Sequence, residues 1–406
     1  MVKHWKVTTM VVCIIGIFVI YYMDVANEVE TYPSFTLTTE KGSFDSVQML
    51  HLYGDYETNA STHLFSLNGK ETMYVQQMPY LERLSGFYRY AELERLKQLY
   101  PSYMRGKNND VSTFSESDFY IVQAEVNWGK SSASTSSHVS FDLSVLHKEL
   151  HKDARFHIDV PQSDQDSFLS LEDMYTVGER LYLVTNHLRE SNDGSTLFEL
   201  RVYTIQLDRG KLTNSDVIYT WEQENPGEEI QVTSIKRNHS IIADQRMLLL
   251  RRVNDAGIEI ENDQKVIKSN EVDYEFIAYD FRTKGLETYK IPRDVKDGAQ
   301  IISYEDNSDV YMIQENGDEL EIIEWKLGSD EQTEPITVPI NRKPNMYTTS
   351  FIKEHLYVYV SEESYGKNIG ELHVFYVPTG EWIYYGEVIA DRSLSNGENV
   401  IIHKIE

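Results

Sequence analysis

The chain has 406 residues, 65 of them acidic and 38 basic, for a formal net charge of −27. Such a surface repels phosphate backbones and anionic headgroups, which argues against nucleic-acid binding and against docking of the globular part on anionic lipid. The single cysteine, Cys13, excludes an intramolecular disulfide and a multi-thiolate metal centre.

Residues 1–6 carry Lys3 and Lys6, and an apolar run in which only Thr8 and Thr9 are polar extends over 7–23. The run is at the short end of a membrane span. Basic residues precede it and Asp24, Glu28 and Glu30 follow. The positive-inside rule therefore predicts a single-pass signal anchor in the cell membrane, with the tail 1–6 cytoplasmic and everything after it extracytoplasmic. A signal peptide cleaved after Ala26 is the rival reading, against which Asp24 stands. A lipid anchor would need its cysteine at the end of the run, and Cys13 lies in the middle. Residues 24–33 then read as a linker and 34–406 as one all-β domain.

Within that domain a four-residue phrase recurs: polar, apolar, Tyr or aliphatic, aliphatic. The seven copies begin at Thr72, Asp118, Arg180, Arg246, Asp309, His355 and Asn399. Their third positions are 46, 62, 66, 63, 46 and 44 residues apart. A unit of this size built from strands points to a propeller or similar array. The segment Ser34–Gly54 offers two strands with no hairpin of their own.

The region 79–103 departs from the repeat. Leu81, Leu84, Tyr88, Leu93, Leu96, Leu99 and Tyr100 follow three- and four-residue spacings, and Pro79 suits a helix start, so a helical insertion is expected. Repeat logic would instead make Phe87–Tyr90 an outer strand. The stretch Pro79–Lys107 is basic within an acidic chain, which fits a helix covering one face or a surface turned to a partner or membrane.

Ala124–Ser131 matches a permissive phosphate-loop pattern, but a Ser-rich turn and then a strand at Val139–Leu143 follow, where the chemistry requires a helix N-terminus. His147 and His151 are four apart with His157 nearby, a spacing that could hold zinc on a helix. Alignment of Ser140–Ile158 with Val202–Tyr219 places them in a hairpin turn instead. From Asp173 onward the pattern is regular. Runs at Asp173–Leu188, Leu197–Leu207 and Val217–Trp221, broken at Gly178-Glu179-Arg180 and Asp208-Arg209-Gly210, make a four-stranded meander. Val232–Val253, Glu275–Ile291, Ile301–Ile313, Leu320–Val338, Thr349–Val360 and Leu372–Tyr385 repeat the hairpin plan with polar, glycine-bearing turns. Asp/Asn-rich loops at 191–194, 305–309 and 316–318 lack the full spacing of a calcium loop.

The last copy leaves room for only two strands before Glu406. Pairing them with the two strands of Ser34–Gly54 predicts a blade assembled from both termini, for about seven four-stranded blades, with six or eight as the alternatives. Through the repeated phrase and the hairpin plan, residues 33–406 resemble the β-propeller superfold in a bacterial, membrane-anchored form. The Trp-Asp ending and the glycine pair of the well-known blade families are missing, so no functional residues transfer. No catalytic, cofactor-binding or metal-ligating residue is assigned, and no cofactor is expected. The expected function is a membrane-tethered extracytoplasmic module binding a protein, peptide or glycan. The alternatives are an envelope glycan hydrolase or lyase using channel carboxylates, and a regulatory accessory subunit of a membrane partner.

Overall fold

A computed structural model describes residues 5, 9–16, 31–78, 83, 90–128, 139–161, 168–190, 196–223, 228–235, 246–255, 258–261, 264–267, 271–291, 299–304, 309–317, 319–327, 335–339, 346–352, 354–361 and 366–406. Two compact units are present, residues 1–91 with 339–406, and residues 92–338. Both are built from antiparallel sheets of four strands, one extended to five.

Among the described residues the second unit holds four four-stranded sheets and one two-stranded sheet. Sheet II comprises Phe114–Glu116, Tyr120–Trp128, Val139–His147 and Lys152–Asp159. Sheet III comprises Phe168–Val177, Arg180–Glu190, Thr196–Gln206 and Lys211–Gln223. Sheet IV comprises Glu228–Ser234, Arg246–Asp255, Glu271–Asp280 and Leu286–Lys290, with a side hairpin of Ile258–Glu261 and Gln264–Ile267. Sheet V comprises Gln300–Tyr304, Asp309–Asn316, Glu319–Lys326 and Ile336–Pro339. Strand alternation gives each sheet apolar side chains to press against its neighbour. Phe141 and Leu143 of sheet II meet Leu183 and Tyr203 of sheet III. Val184 and Val202 on the other face of sheet III meet Leu249 and Ile277 of sheet IV. Phe276 and Ala278 of sheet IV meet Val310 and Met312 of sheet V. The first strands of sheets II, III and IV run beside one another.

The first unit contains the two sheets that join the ends of the domain. Sheet I is Asn399–Ile405, His51–Glu57, Thr62–Asn68 and Glu71–Tyr74 in spatial order. Sheet VI is Met346–Ile352, His355–Ser361, Asn368–Tyr376 and Glu381–Ala390, with Phe35–Lys41 added as a fifth strand at its outer edge. Phe35, Phe65, Tyr359, Val374, Val388, Val400 and Ile402 share one core between them. The predicted pairing of two strands from each terminus is therefore corrected. One C-terminal strand opens a sheet of three N-terminal strands, and the first N-terminal strand crosses to the C-terminal sheet. The reason lies at Phe35. Its ring packs 4.6 Å from that of Phe65, while its N–H donates to Thr72 Oγ1 at 2.7 Å and its carbonyl accepts from the same hydroxyl at 2.8 Å. Strand 35–41 so bridges both sheets.

This pairing also accounts for the count. The copies at Asp118, Arg180, Arg246, Asp309 and His355 fall at the second strands of their sheets, and Tyr120, Leu183, Leu249, Met312 and Val358 are buried there. The first and last copies lie in one sheet, at its opposite edges. Seven phrases therefore correspond to six sheets of four or more strands among the described residues.

Residues 391–398 connect sheet VI to the closing strand and are held by Glu398. Arg392 donates to both of its carboxylate oxygens, at 3.0 and 2.7 Å, and Ser395 gives its N–H and Oγ–H to Oε2 at 2.5 and 2.7 Å. The Tyr56 hydroxyl donates to Oε1. These donors, Arg392 foremost, hold the Glu398 carboxyl well below its ordinary value of 4.5. A depressed folded-state value contributes stability that is present above pH 4.5 and lost as pH falls below it. Arg392 is 40% exposed, so screening limits the effect to about 1 kcal/mol. Glu398→Gln is expected to lower the melting temperature at pH 7 by a few degrees, with the deficit shrinking as pH is taken well below 4.5. Melting curves from pH 7 to pH 2.5 or so check this, and a deficit constant with pH would refute it.

Helices cover Ala91–Leu99 and Pro101–Met104 of the predicted insertion, and residue 83 is helical; 79–82 and 84–89 lie outside the described residues. In the predicted span, residues 9–16 are helical with Met10, Val12 and Ile15 more than half exposed; 7, 8 and 17–23 lie outside the described residues. Among the described residues no helix is long and apolar enough to cross a membrane.

Candidate functional site

The middle strands of sheet II have unlike faces. One packs on sheet III through Val122, Ala124, Phe141, Leu143 and Val145. The other presents Gln123, Glu125 and Asn127, then Asp142 and Ser144, and the edge strand adds Arg155, His157 and Asp159. The segment following the helices crosses part of this face and closes a cleft of about 430 Å³.

Burial and charge dock that segment. Leu93, Leu96, Tyr103 and Met104 are buried. Glu116, 7% exposed, pairs with Arg95 from the helix and with Lys148 Nζ at 2.5 Å from the turn beyond. The Tyr103 hydroxyl lies 2.6 Å from the Ser144 carbonyl and 3.2 Å from that of Ile121, with one hydrogen to donate. Breaking a buried ion pair from one side leaves an uncompensated charge. Glu116→Ala is expected to cost about 2–3 kcal/mol, reduced from the fully buried range because Arg95 is 38% exposed. Hydrogen exchange of amides 93–104 should rise with it. Unchanged protection there would show that the helix is held by its apolar contacts alone.

Beyond Met104 the chain turns through Gly106, at φ 75°, and delivers Lys107 to the cleft. Its ammonium sits 4.1 Å from the centre of the Tyr103 ring and donates to Gln123 Oε1 at 3.0 Å and Ser144 Oγ at 2.6 Å. Burial first, then the nearby Arg155 guanidinium, push the Lys107 amine down to about 8, against the pull of Glu125 and Asp153. Glu125 Oε1 accepts from Gln123 Nε2 at 3.0 Å and from Asn108 Nδ2 at 2.9 Å. Asp142 stands directly opposite Glu125 in the ladder. It accepts from Asn127 Nδ2 at 3.1 Å and pairs with His157 Nδ1 at 2.6 Å. That contact holds Asp142 below the usual carboxylate range and raises His157. Among the described residues neither Arg105 nor Arg155, both lining the cleft, forms an ion pair.

The site thus carries three cations, a histidine and two carboxylates, drawn from the polar face of sheet II and the segment that carries Arg105 and Lys107. It can hold an anion between Lys107 and Arg155 and exchange hydrogen bonds with hydroxyl groups through Glu125, Asp142 and Ser144. It gathers residues from four separated segments. The basic character of Pro79–Lys107 and the histidine His157 were visible in the sequence; Gln123, Glu125, Asp142, Ser144 and Arg155 were not singled out as a group. The available signal was the run of polar residues at alternate positions of two central strands, where a sheet stacked on both faces would carry apolar ones.

The other sequence motifs do not converge. His147 ends its strand and its Nδ1 accepts from the Leu150 N–H at 3.4 Å, while His151 occupies the turn at φ 48°. His157 is five residues past Lys152, the partner of His147, so about 16 Å along the strand. Among the described residues no group of three or more possible ligands could hold a metal ion. Ala124–Trp128 of the phosphate-loop match is strand, and the rest lies outside the described residues, as do the loops 191–194 and 305–308. Gly317, at φ 66°, sits in a hairpin turn.

No family model matches the chain, and no curated protein matches it. Among solved structures it is similar to an acylaminoacyl peptidase of Pyrococcus horikoshii (10% identity, TM-score 0.30, covering 71% of this chain and 47% of that one). It is similar also to a puromycin-hydrolyzing peptidase of Mycobacterium tuberculosis (11% identity, TM-score 0.33, 91% and 57%) and to TolB of Acinetobacter baumannii (10% identity, TM-score 0.21, 70% and 83%). The chain spans about half the length of the two peptidases. At these scores the description of the fold rests on the sheets themselves.

Proposed function

We propose that this protein is a membrane-tethered, extracytoplasmic binding module, a β-propeller of six blades whose ligand site is the polar face of sheet II. The cleft carries the reading: charged and amide side chains of sheet II and of the segment at Arg105 and Lys107 converge on one concave surface, where ligand sites are found. The four-stranded meanders, stacked face to face within each unit with their first strands adjacent, support the propeller plan. The apolar run 7–23 between basic and acidic flanks supports the anchor and its orientation.

The direct opposition of Glu125 and Asp142 favours a second reading, a glycan hydrolase or lyase, since like charges facing each other across a ladder weaken a sheet unless something uses them. Asp142, held ionised chiefly by His157, could act there as nucleophile or base but not as the general acid. Binding without turnover is the outcome expected of the first reading. The full chain in detergent should bind a ligand stoichiometrically by calorimetry and leave it intact by mass spectrometry; cleavage or elimination would replace the binding reading with the enzymatic one.

The anchor is tested separately. Full-length protein should sediment with membranes after alkaline carbonate washing, and a chain lacking residues 1–30 should be released to the soluble fraction. Release of the full-length protein by carbonate would remove the tether.

A further inference from the structure

The cleft on sheet II has a charge pattern that selects among anions. Lys107 is held at the floor by Gln123 and Ser144, which use two of the three N–H donors of an ammonium. Its third donor makes no hydrogen bond among the described residues, and the ammonium also rests 4.1 Å from the centre of the Tyr103 ring. Arg155, also lining the cleft, is close enough for its charge to disfavour the charged form of Lys107. Arg105 and Arg155 form no ion pair among the described residues. Two cations brought together repel, and an anion placed between them turns that repulsion into attraction.

The anion is limited in charge and shape. Glu125 and Asp142 stand opposite one another on the same face, so a dianion such as phosphate would be repelled by both. A single carboxylate meets the cations at lower cost, and Arg155 can take it in bidentate fashion. The same two protein carboxylates, with the Ser144 hydroxyl, accept and donate hydrogen bonds as adjacent hydroxyl groups require. A cleft of about 430 Å³ lies within the size range of small-molecule sites.

Resting on the binding-module reading, we infer that the cleft lined by Arg105, Lys107, Gln123, Glu125, Asp142 and Arg155 is a site for a carboxylate-bearing sugar of the uronate class, its carboxylate between Lys107 and Arg155 and its hydroxyls on Glu125 and Asp142.

Calorimetric titration of the full-length protein in detergent with galacturonate, one ring bearing one carboxylate, tests this, with galacturonate methyl ester and inorganic phosphate as comparison probes. Saturable one-to-one binding of the acid form is expected, at least tenfold tighter than the ester and than phosphate. Arg155→Gln and Lys107→Met should each weaken it tenfold or more, and Lys284→Met, on sheet IV, should leave it within twofold. Melting curves establish that the variants are folded, and Lys107→Arg, which keeps the charge, should retain more affinity than Lys107→Met. Equal binding of acid and ester, or variants within twofold of wild type, overturns the assignment. Failure of galacturonate while N-acetylglycine, which carries one carboxylate and no sugar hydroxyls, binds in a manner lost in Arg155→Gln overturns the sugar class and leaves the binding module standing. Failure of both probes overturns the assigned site and removes the support that the module reading draws from this cleft.

Discussion

Deleting residues 399–406 is expected to abolish cooperative folding of the unit formed by residues 1–91 and 339–406. Strand Asn399–Ile405 supplies Val400, Ile402 and Ile405, each 1% exposed, to the core shared by sheets I and VI. Truncation of one such side chain to alanine costs about 2–5 kcal/mol, so loss of three, with the ladder to His51–Glu57, matches or exceeds the roughly 5–15 kcal/mol that holds a whole domain together. The deletion also bares the edge of strand 51–57, an invitation to aggregate. Hydrogen bonds from Thr348 and Ser350 of sheet VI to the carbonyls of Ile402 and Ile405, at 2.6 and 2.9 Å, would be lost as well. A truncated chain that remains soluble and melts within a few degrees of the full one would show that the closing strand is dispensable. Ile402→Ala is the milder test, with an expected loss of about 2–5 kcal/mol by denaturant titration.

The second large effect is expected from Gly210→Ala. Gly210 sits in the turn between Thr196–Gln206 and Lys211–Gln223 at φ 58°, a left-handed conformation that costs other residues about 1–2 kcal/mol. A Cβ there would lie 2.0 Å from Cδ1 of Phe156, well inside contact distance, so the ring on sheet II must move. Overpacking of this kind adds about 1–3 kcal/mol, for a total near 2–5 kcal/mol. Phe156 lies between Arg155 and His157 on the strand that lines the cleft, so the substitution should also loosen ligand binding. Combining Gly210→Ala with Phe156→Leu should recover part of the stability, because the steric component disappears while the backbone component stays. A double variant no more stable than the sum of the two single losses would place the cost elsewhere.

Much of the architecture was written locally. The period-two alternation and glycine-bearing turns identified the meander of sheet III at Asp173–Trp221 nearly strand for strand, because a hairpin is specified by contiguous residues. The same alignment placed His147 and His151 at a turn between the third and fourth strands of sheet II. The candidate site was less legible. His157 and the basic segment ending at Lys107 drew notice separately, but nothing in their spacing said that they face the same cavity. Glu125 was seen only inside a phosphate-loop pattern, whereas its neighbour in space is Asp142, seventeen positions on.

The sequence by itself determined the all-β character, the repeated hairpin unit, the apolar segment between charged flanks and the acidic balance, since each depends on composition or on residues a few positions apart. The tertiary structure alone decided which strands share a sheet at the ends of the domain. A strand's own alternation says which face is apolar but not which neighbour will cover it. That choice went to the partner that buried Phe35 against Phe65 and Val400 with Ile402 beneath sheet VI, so the first and last phrases share a sheet. The cleft followed the same rule: docking of residues 91–107 by Leu93, Leu96, Tyr103 and Glu116 brought Lys107 to Gln123 and Ser144, a meeting that burial energy fixed and no local pattern encoded.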